Sequence, residues 1–132
     1  MLKRLTLSTT SRTQFLNITS KVAELIHSSG IRDGLCVVYV PHTTAGVTIN
    51  ECADPSVAGD ILAELNKIIP FNNGYRHLEG NSAAHIKTCL VGTSCHVPLE
   101  RGEMALGTWQ GIFFCEFDGP RQRTVTVKII GN

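Results

Sequence analysis

The sequence predicts one α+β domain, with about three helices packed on a largely antiparallel β-sheet or sandwich. Three observations lead there. Strand-like segments rich in β-branched residues recur along the chain and close it with "RTVTVKII". Only a few segments, each flanked by capping residues, carry helical spacing. The length of 132 residues allows one compact core and falls short of two ordinary domains, so residues 1–132 read as a single unit.

Each element has a local reason. "LKRLTLST" alternates Leu2, Leu5 and Leu7 with polar residues closely enough for a half-buried strand, and "TQFLNI" from Thr13 can extend a hairpin with it. In "NITSKVAELIHSSG", Ile18, Val22, Leu25 and Ile26 recur at helical spacing; Asn17 or Thr19 can cap the start and Gly30 can close the end. His27, near that end, reads as a surface residue favoured by the helix dipole. "GLCVVYV" is continuously apolar and predicts a central strand buried on both faces. "AGVTINE" predicts another strand after Pro41-His42. Asp54-Pro55 announces a helix with the apolar stripe Val57, Ile61, Leu65 and Ile68, ended by Pro70. "PFNNGYRHLEGNS" is loop chemistry, and "SAAHIKTCLVG" a short helix capped by Ser82. "TSCHVPL", "GIFFCEF" and "RTVTVKII" are strands, with Gly102 and Gly107 at the turns between them.

Composition narrows the function classes. No stretch approaches the roughly 20 apolar residues of a membrane span, and "MLKRLTLSTT" reads as a first strand, not a signal peptide. A formal net charge of +1 sets up no global field for nucleic acid or membrane. The five cysteines are odd in number and form no CxxC pair, which suits free thiols in a reducing cytoplasm. The expectation is a cytoplasmic protein with neither nucleic-acid nor membrane partners.

Three histidines stand where side chains can reach a cleft: His42 at a strand end, His77 in the Asn/Gly loop and His85 on the short helix. Together they could hold a divalent metal through neutral imidazoles, or they could be three unrelated hydrogen-bonded residues. Glu51 and Glu79 adjoin them and could orient an imidazole or act as a general base. Asp54 is explained as a cap, Asp60 as a solvated helix residue, and His96 as a strand residue outside the site. Trp109 could be core, interface or a stacking surface for a heterocycle. Arg121 and Arg123, two apart on a strand, share a face and with Lys87 could bind phosphate; a solvated basic edge is the other reading.

"PHTTAGVTINECADP", "YRHLEGNSAAHIK", "VGTS" and "GTWQGIFFCEFDGPRQR", in this order, resemble the YjbQ family over nearly the whole chain, Leu2 to Ile130. The resemblance implies a compact domain assembling as a homotrimer, with a cleft at the subunit interfaces. It places His42, Glu51, His77, His85, Lys87, Thr93, Gln110 and Arg123 in one polar site. The three histidines become metal ligands; three imidazoles suit zinc, whereas magnesium, the usual diphosphate partner, prefers carboxylate and water. The family label, secondary thiamine-phosphate synthase, implies joining hydroxymethylpyrimidine diphosphate to a thiazole phosphate with release of diphosphate. Such a reaction needs cations at the departing diphosphate, here Lys87, Arg121 and Arg123, and an aromatic wall for the pyrimidine, here Trp109. A metal-dependent hydrolase of a small metabolite, with Glu51 or Glu79 as base, and a non-enzymatic metabolite-binding trimer are the alternatives.

Overall fold

The computed structural model describes all residues, Met1–Asn132. Eight strands and three helices follow one another as β1 (Leu2–Ser8), β2 (Gln14–Asn17), α1 (Thr19–Ser29), β3 (Gly34–Tyr39), β4 (Ala45–Glu51), α2 (Pro55–Ile68), α3 (Ser82–Val91), β5 (Ser94–Glu100), β6 (Glu103–Met104), β7 (Gln110–Glu116) and β8 (Gln122–Gly131). They form a five-stranded sheet in the order β1-β8-β3-β5-β6 and a three-stranded sheet in the order β2-β7-β4, and every pairing is antiparallel. The α+β expectation therefore holds.

The main core lies between the sheets. Cys36 and Val38 of β3, Val97 of β5 and Val127 of β8 cluster with Val47 of β4 and Ile112 and Phe114 of β7, and α1 adds Val22 and Ile26. A second cluster, Phe113, Cys115, Phe117 and Ala84, packs with Ala58, Leu62 and Leu65 of α2 on the other face of β7. This two-sided burial is why "GIFFCEF" carries no alternation.

Five local features differ from the expectation. β2 leaves β1 and pairs with β7 in the other sheet, because Leu16 has its apolar neighbours there. β3 is central but buried on one face only; Leu35 and Val37 are half-covered and Tyr39 is exposed, since no helix covers that face of the larger sheet. The inner stripe of α2 is Ala58, Leu62 and Leu65, leaving Ile68 exposed. Asn81, not Ser82, is the residue flanking the start of α3. Two termini agree: Asp54 accepts a hydrogen bond from the Ser56 N–H at 2.9 Å, and Gly30 closes α1 with φ +72°; at the start of α1 Ile18, not Asn17 or Thr19, holds the cap position.

The turn between β3 and β4 is held by a close approach of α3. The Val47 N–H donates to the Gly92 carbonyl at 3.1 Å and the Val40 N–H to the Thr93 carbonyl at 2.7 Å. These bonds draw the end of α3 onto the turn. A Cβ on Gly46 would overlap the Gly92 carbonyl oxygen. Gly46→Ala is therefore expected to destabilise the fold by about 1–3 kcal/mol. Thermal denaturation checks this, and an unchanged melting temperature would show that the contact can relax.

Candidate functional site

The β3–β4 turn presents His42, and its geometry determines the ring's chemistry. The Thr124 N–H donates to His42 Nε2 at 3.0 Å. With that lone pair engaged, the neutral ring carries its proton on Nδ1, which remains as a donor. Burial, then repulsion from the Arg123 guanidinium, holds the His42 pKa below the usual histidine value. His42 is a neutral donor.

A buried ion pair supports the turn from beneath. Arg123 is 3% exposed and Glu116 is fully buried. Arg123 Nε donates to Glu116 Oε1 at 2.9 Å, and its Nη2 donates to Glu116 Oε2 and to Thr44 Oγ1, the last at 2.9 Å. The Thr9 hydroxyl and the Asp118 N–H also donate to Glu116. Burial pushes the Glu116 carboxyl up, but these donors, Arg123 foremost, outweigh it and hold the group below the ordinary carboxylate range. Arg123, expected as a phosphate ligand, spends its donors inside the protein and braces the His42 turn through Thr44.

His42 stands between two clefts. One, of about 500 Å³, is lined by Tyr39, Pro41, Thr43, Thr44, Arg121 and Arg123 with His42. The other, of about 410 Å³, joins His42 and Thr43 to His85, Thr88, Cys89 and Thr93 at the C-terminal end of α3. Helix carbonyls there favour a positive or neutral group, whereas the first cleft has the arginines. Arg121 is half-exposed and paired with Asp118 at 3.1 Å. It precedes β8, so it does not share a strand face with Arg123 as the spacing predicted.

His77 reaches His85, with ring centroids 5.6 Å apart and edge-on, and exposed Glu79 lies 4.0 Å from His77 Nε2. Two imidazoles on one zinc would have centroids roughly 5 Å apart, given metal–nitrogen bonds of about 2.0–2.1 Å, which is near the spacing of this pair. The three-histidine set does not fit. His42 Nε2 accepts the Thr124 proton, and no group of three His, Cys, Asp or Glu side chains in the chain is placed to hold an ion.

The remaining candidates lie elsewhere. Glu51 pairs with Gln110 across β4 and β7, and β4 has seven residues, which puts Glu51 about 20 Å from the His42 end. Glu51 lines a separate groove of about 440 Å³ with Phe15, Cys52, Leu62 and Phe113. Gln110 Oε1 accepts the Gly107 N–H at 2.8 Å, and Trp109 beside it is 63% exposed. Lys87 is wholly buried and apart from both arginines of the first cleft. Thus His42, His85 and Thr93 come together with His77 adjacent, and Glu51, Trp109 and Gln110 gather at the opposite end. Cys89 and Thr88, unremarked in the sequence, line the cleft; the spacing of His85 and Cys89 at i and i+4 on one helix face was the available signal.

Comparison with known proteins agrees with the architecture. A family model described as UPF0047 protein YjbQ-like matches residues 3–132. The UPF0047 protein YugU of Bacillus subtilis is 50% identical over 132 residues, covering 99% of this chain and all of its own length. A UPF0047 protein of Methanocaldococcus jannaschii is 53% identical over 132 residues, with 100% of this chain and 96% of that protein covered. A crystal structure of an uncharacterized conserved protein of the YjbQ/UPF0047 family from Clostridium acetobutylicum superposes with a TM-score of 0.95 at 53% identity, covering 97% of this chain and 99% of that one. A sandwich of this topology, with a family match running from the third residue to the last, identifies the chain as a member of the YjbQ/UPF0047 family.

Proposed function

We propose that this protein is an enzyme of small phosphorylated metabolites, and that its reaction is the joining of hydroxymethylpyrimidine diphosphate to a thiazole phosphate. The observation that carries the reading is the place of His42, a neutral donor between a cleft with arginines and a cleft with His85, Thr88 and Thr93. In this condensation the thiazole nitrogen attacks the pyrimidine methylene carbon as the carbon–oxygen bond to diphosphate breaks. Negative charge grows on the leaving oxygen. His42 and Arg121 both line the first cleft, and a donor and a cation there would stabilise that charge. No step is assigned to a metal.

The working unit we propose is a homotrimer in which one chain's His42 end meets another's Glu51 end. Two features support this. The separation of about 20 Å along β4 keeps Glu51, Trp109 and Gln110 out of the histidine cleft of their own chain. The uncovered face of the larger sheet also carries half-covered Leu35 and Val37, with Tyr39 and Ile130 about half exposed, which suits burial against a second copy.

Purified protein given both phosphorylated precursors is expected to form thiamine phosphate, and His85→Ala to form little. His42→Ala and Glu51→Ala, each weak alone, are expected to regain activity when unfolded together and refolded as mixed trimers. No product from the wild-type chain would overturn the reaction. Product without recovery on mixing would leave the reaction standing and remove the shared site.

A further inference from the structure

Lys87 is the least expected side chain in the fold. It sits on the inner face of α3 with Ala83, Ala84 and Thr88, at a position where an apolar residue would pack. It is 0% exposed, and its ammonium makes no hydrogen bond or ion pair with any protein group. A buried donor left unmatched costs free energy, and a charged one costs more. What lies over it is an aromatic ring, with Nζ 4.1 Å from the centroid of Phe71. The Arg12 guanidinium carbon lies 3.6 Å from the same centroid. Two cations thus converge on one aromatic ring. Arg12 is exposed and Phe71 half-buried, which puts Lys87 one side chain beneath the surface.

The spacing has a chemical meaning. In a charge-assisted contact the nitrogen stands about 2.8 Å from a phosphate oxygen, hence roughly 3.5–4 Å from phosphorus. The Phe71 centroid is at about that separation from Lys87 Nζ, and the Arg12 guanidinium carbon approaches the same centroid. We propose that Lys87 and Arg12 form a binding site for a phosphate-sized oxyanion, and that the Phe71 ring occupies the anion's position until the anion displaces it. An aromatic face satisfies a cation only weakly, whereas an oxyanion supplies acceptor oxygens to both cations. On the reading proposed above, the physiological anion is a phosphate group of the metabolite.

The loop that carries Phe71 can move with it. It runs from Pro70 to Gly80, has Gly74 and Gly80 at φ +67° and +77°, and exposes Asn72, Asn73, Arg76 and Leu78. Its hydrogen bonds are internal, from the Tyr75 hydroxyl to the Pro70 carbonyl and from the Gly80 N–H to the His77 carbonyl. The same loop presents His77 to His85. Anion entry at Lys87 would therefore shift His77 against His85, so that occupancy of one site is felt at the other.

Calorimetric titration with inorganic phosphate tests this on the wild-type chain and on Phe71→Ala, Lys87→Met, Arg12→Ala and Arg121→Ala. Removing the ring is expected to tighten phosphate binding several-fold. Lys87→Met and Arg12→Ala are each expected to weaken it by about tenfold or more. Arg121→Ala removes a cation of the His42 cleft and so reports separately any phosphate bound there. Met fills the volume of Lys without a charge, and Arg12 lies at the surface, so both variants are expected to melt at or above the wild-type temperature or close to it. Phosphate binding indifferent to Lys87 and Arg12, or binding lost only with Arg121, would overturn the Lys87 site; the second result would still leave the His42 cleft standing. Absence of phosphate binding in Phe71→Ala would also overturn it.

Discussion

Arg123→Ala is expected to destabilise the protein by about 3–5 kcal/mol, because it strands a fully buried carboxylate. Glu116 would keep the Thr9 hydroxyl and the Asp118 N–H but lose its only cation and two of its donors. Its pKa, now below the ordinary carboxylate range, would move up, since burial raises it and the opposing guanidinium is gone. The double variant Arg123→Met/Glu116→Leu removes both charges together and is expected to recover most of the loss. Urea unfolding followed by circular dichroism measures both. A single variant costing under about 1 kcal/mol would mean that water reaches Glu116 and that the pair does not brace the turn. The sign with pH follows from the lowered Glu116 pKa. Its contribution is present above the unfolded carboxylate pKa and is lost as pH falls through the lower folded value. Wild type should therefore lose stability relative to the double variant only under acid conditions, below the usual range for Glu.

His42→Ala is expected to reduce turnover in the proposed condensation by about 10²–10³, the effect of deleting one positioned donor to a developing oxyanion. The pH profile identifies which form of the ring works. Burial and the charge on Arg123 hold the pKa down, so the neutral Nδ1–H form is populated through the neutral range. Protonating Nε2 would also set two donors against each other, because the Thr124 N–H already points there. Activity should be level near neutrality and fall only below the ordinary histidine range. Decline as pH rises through neutrality would instead show that the imidazolium is the working form. Retention of full activity in His42→Ala would remove the residue from the mechanism.

The fold class was readable because its signals are local. Capping at Asp54-Pro55, the αL glycine after Ser29 and the apolar run of Ile112 to Cys115 depend on residues a few places apart, and they recur in the structure where the sequence puts them. Errors arose where a neighbour distant in sequence decided. Thr13 to Ile18 look like the return strand of a hairpin, yet Leu16 lies over against Phe114, almost a hundred residues on. The continuous apolar run of β3 reads as two-sided burial, but one face of the sheet is left uncovered within the chain.

The same division runs through the site. By itself the sequence determined that His42 follows a strand closely, although it lies in the turn after Tyr39 and not at the strand's end, that His77 and His85 fall close enough to meet, and that the chain carries the motif order of its family. Only the tertiary structure decided what those groups do. A spacing of two made Arg121 and Arg123 look equivalent, but one is a surface ion pair and the other a buried strut, because the strand begins between them. Glu51 stands nine residues after His42 in a chain that could have curled back; an extended strand carries it to the opposite end instead. The sequence groups Lys87 with Arg121 and Arg123 as a phosphate patch, but α3 turns it inward beneath Phe71, away from both. Charge and residue type are written along the chain, while burial, tautomer and partner are properties of the packed neighbours, and these are what turn a polar residue into a donor, a brace or an anion site.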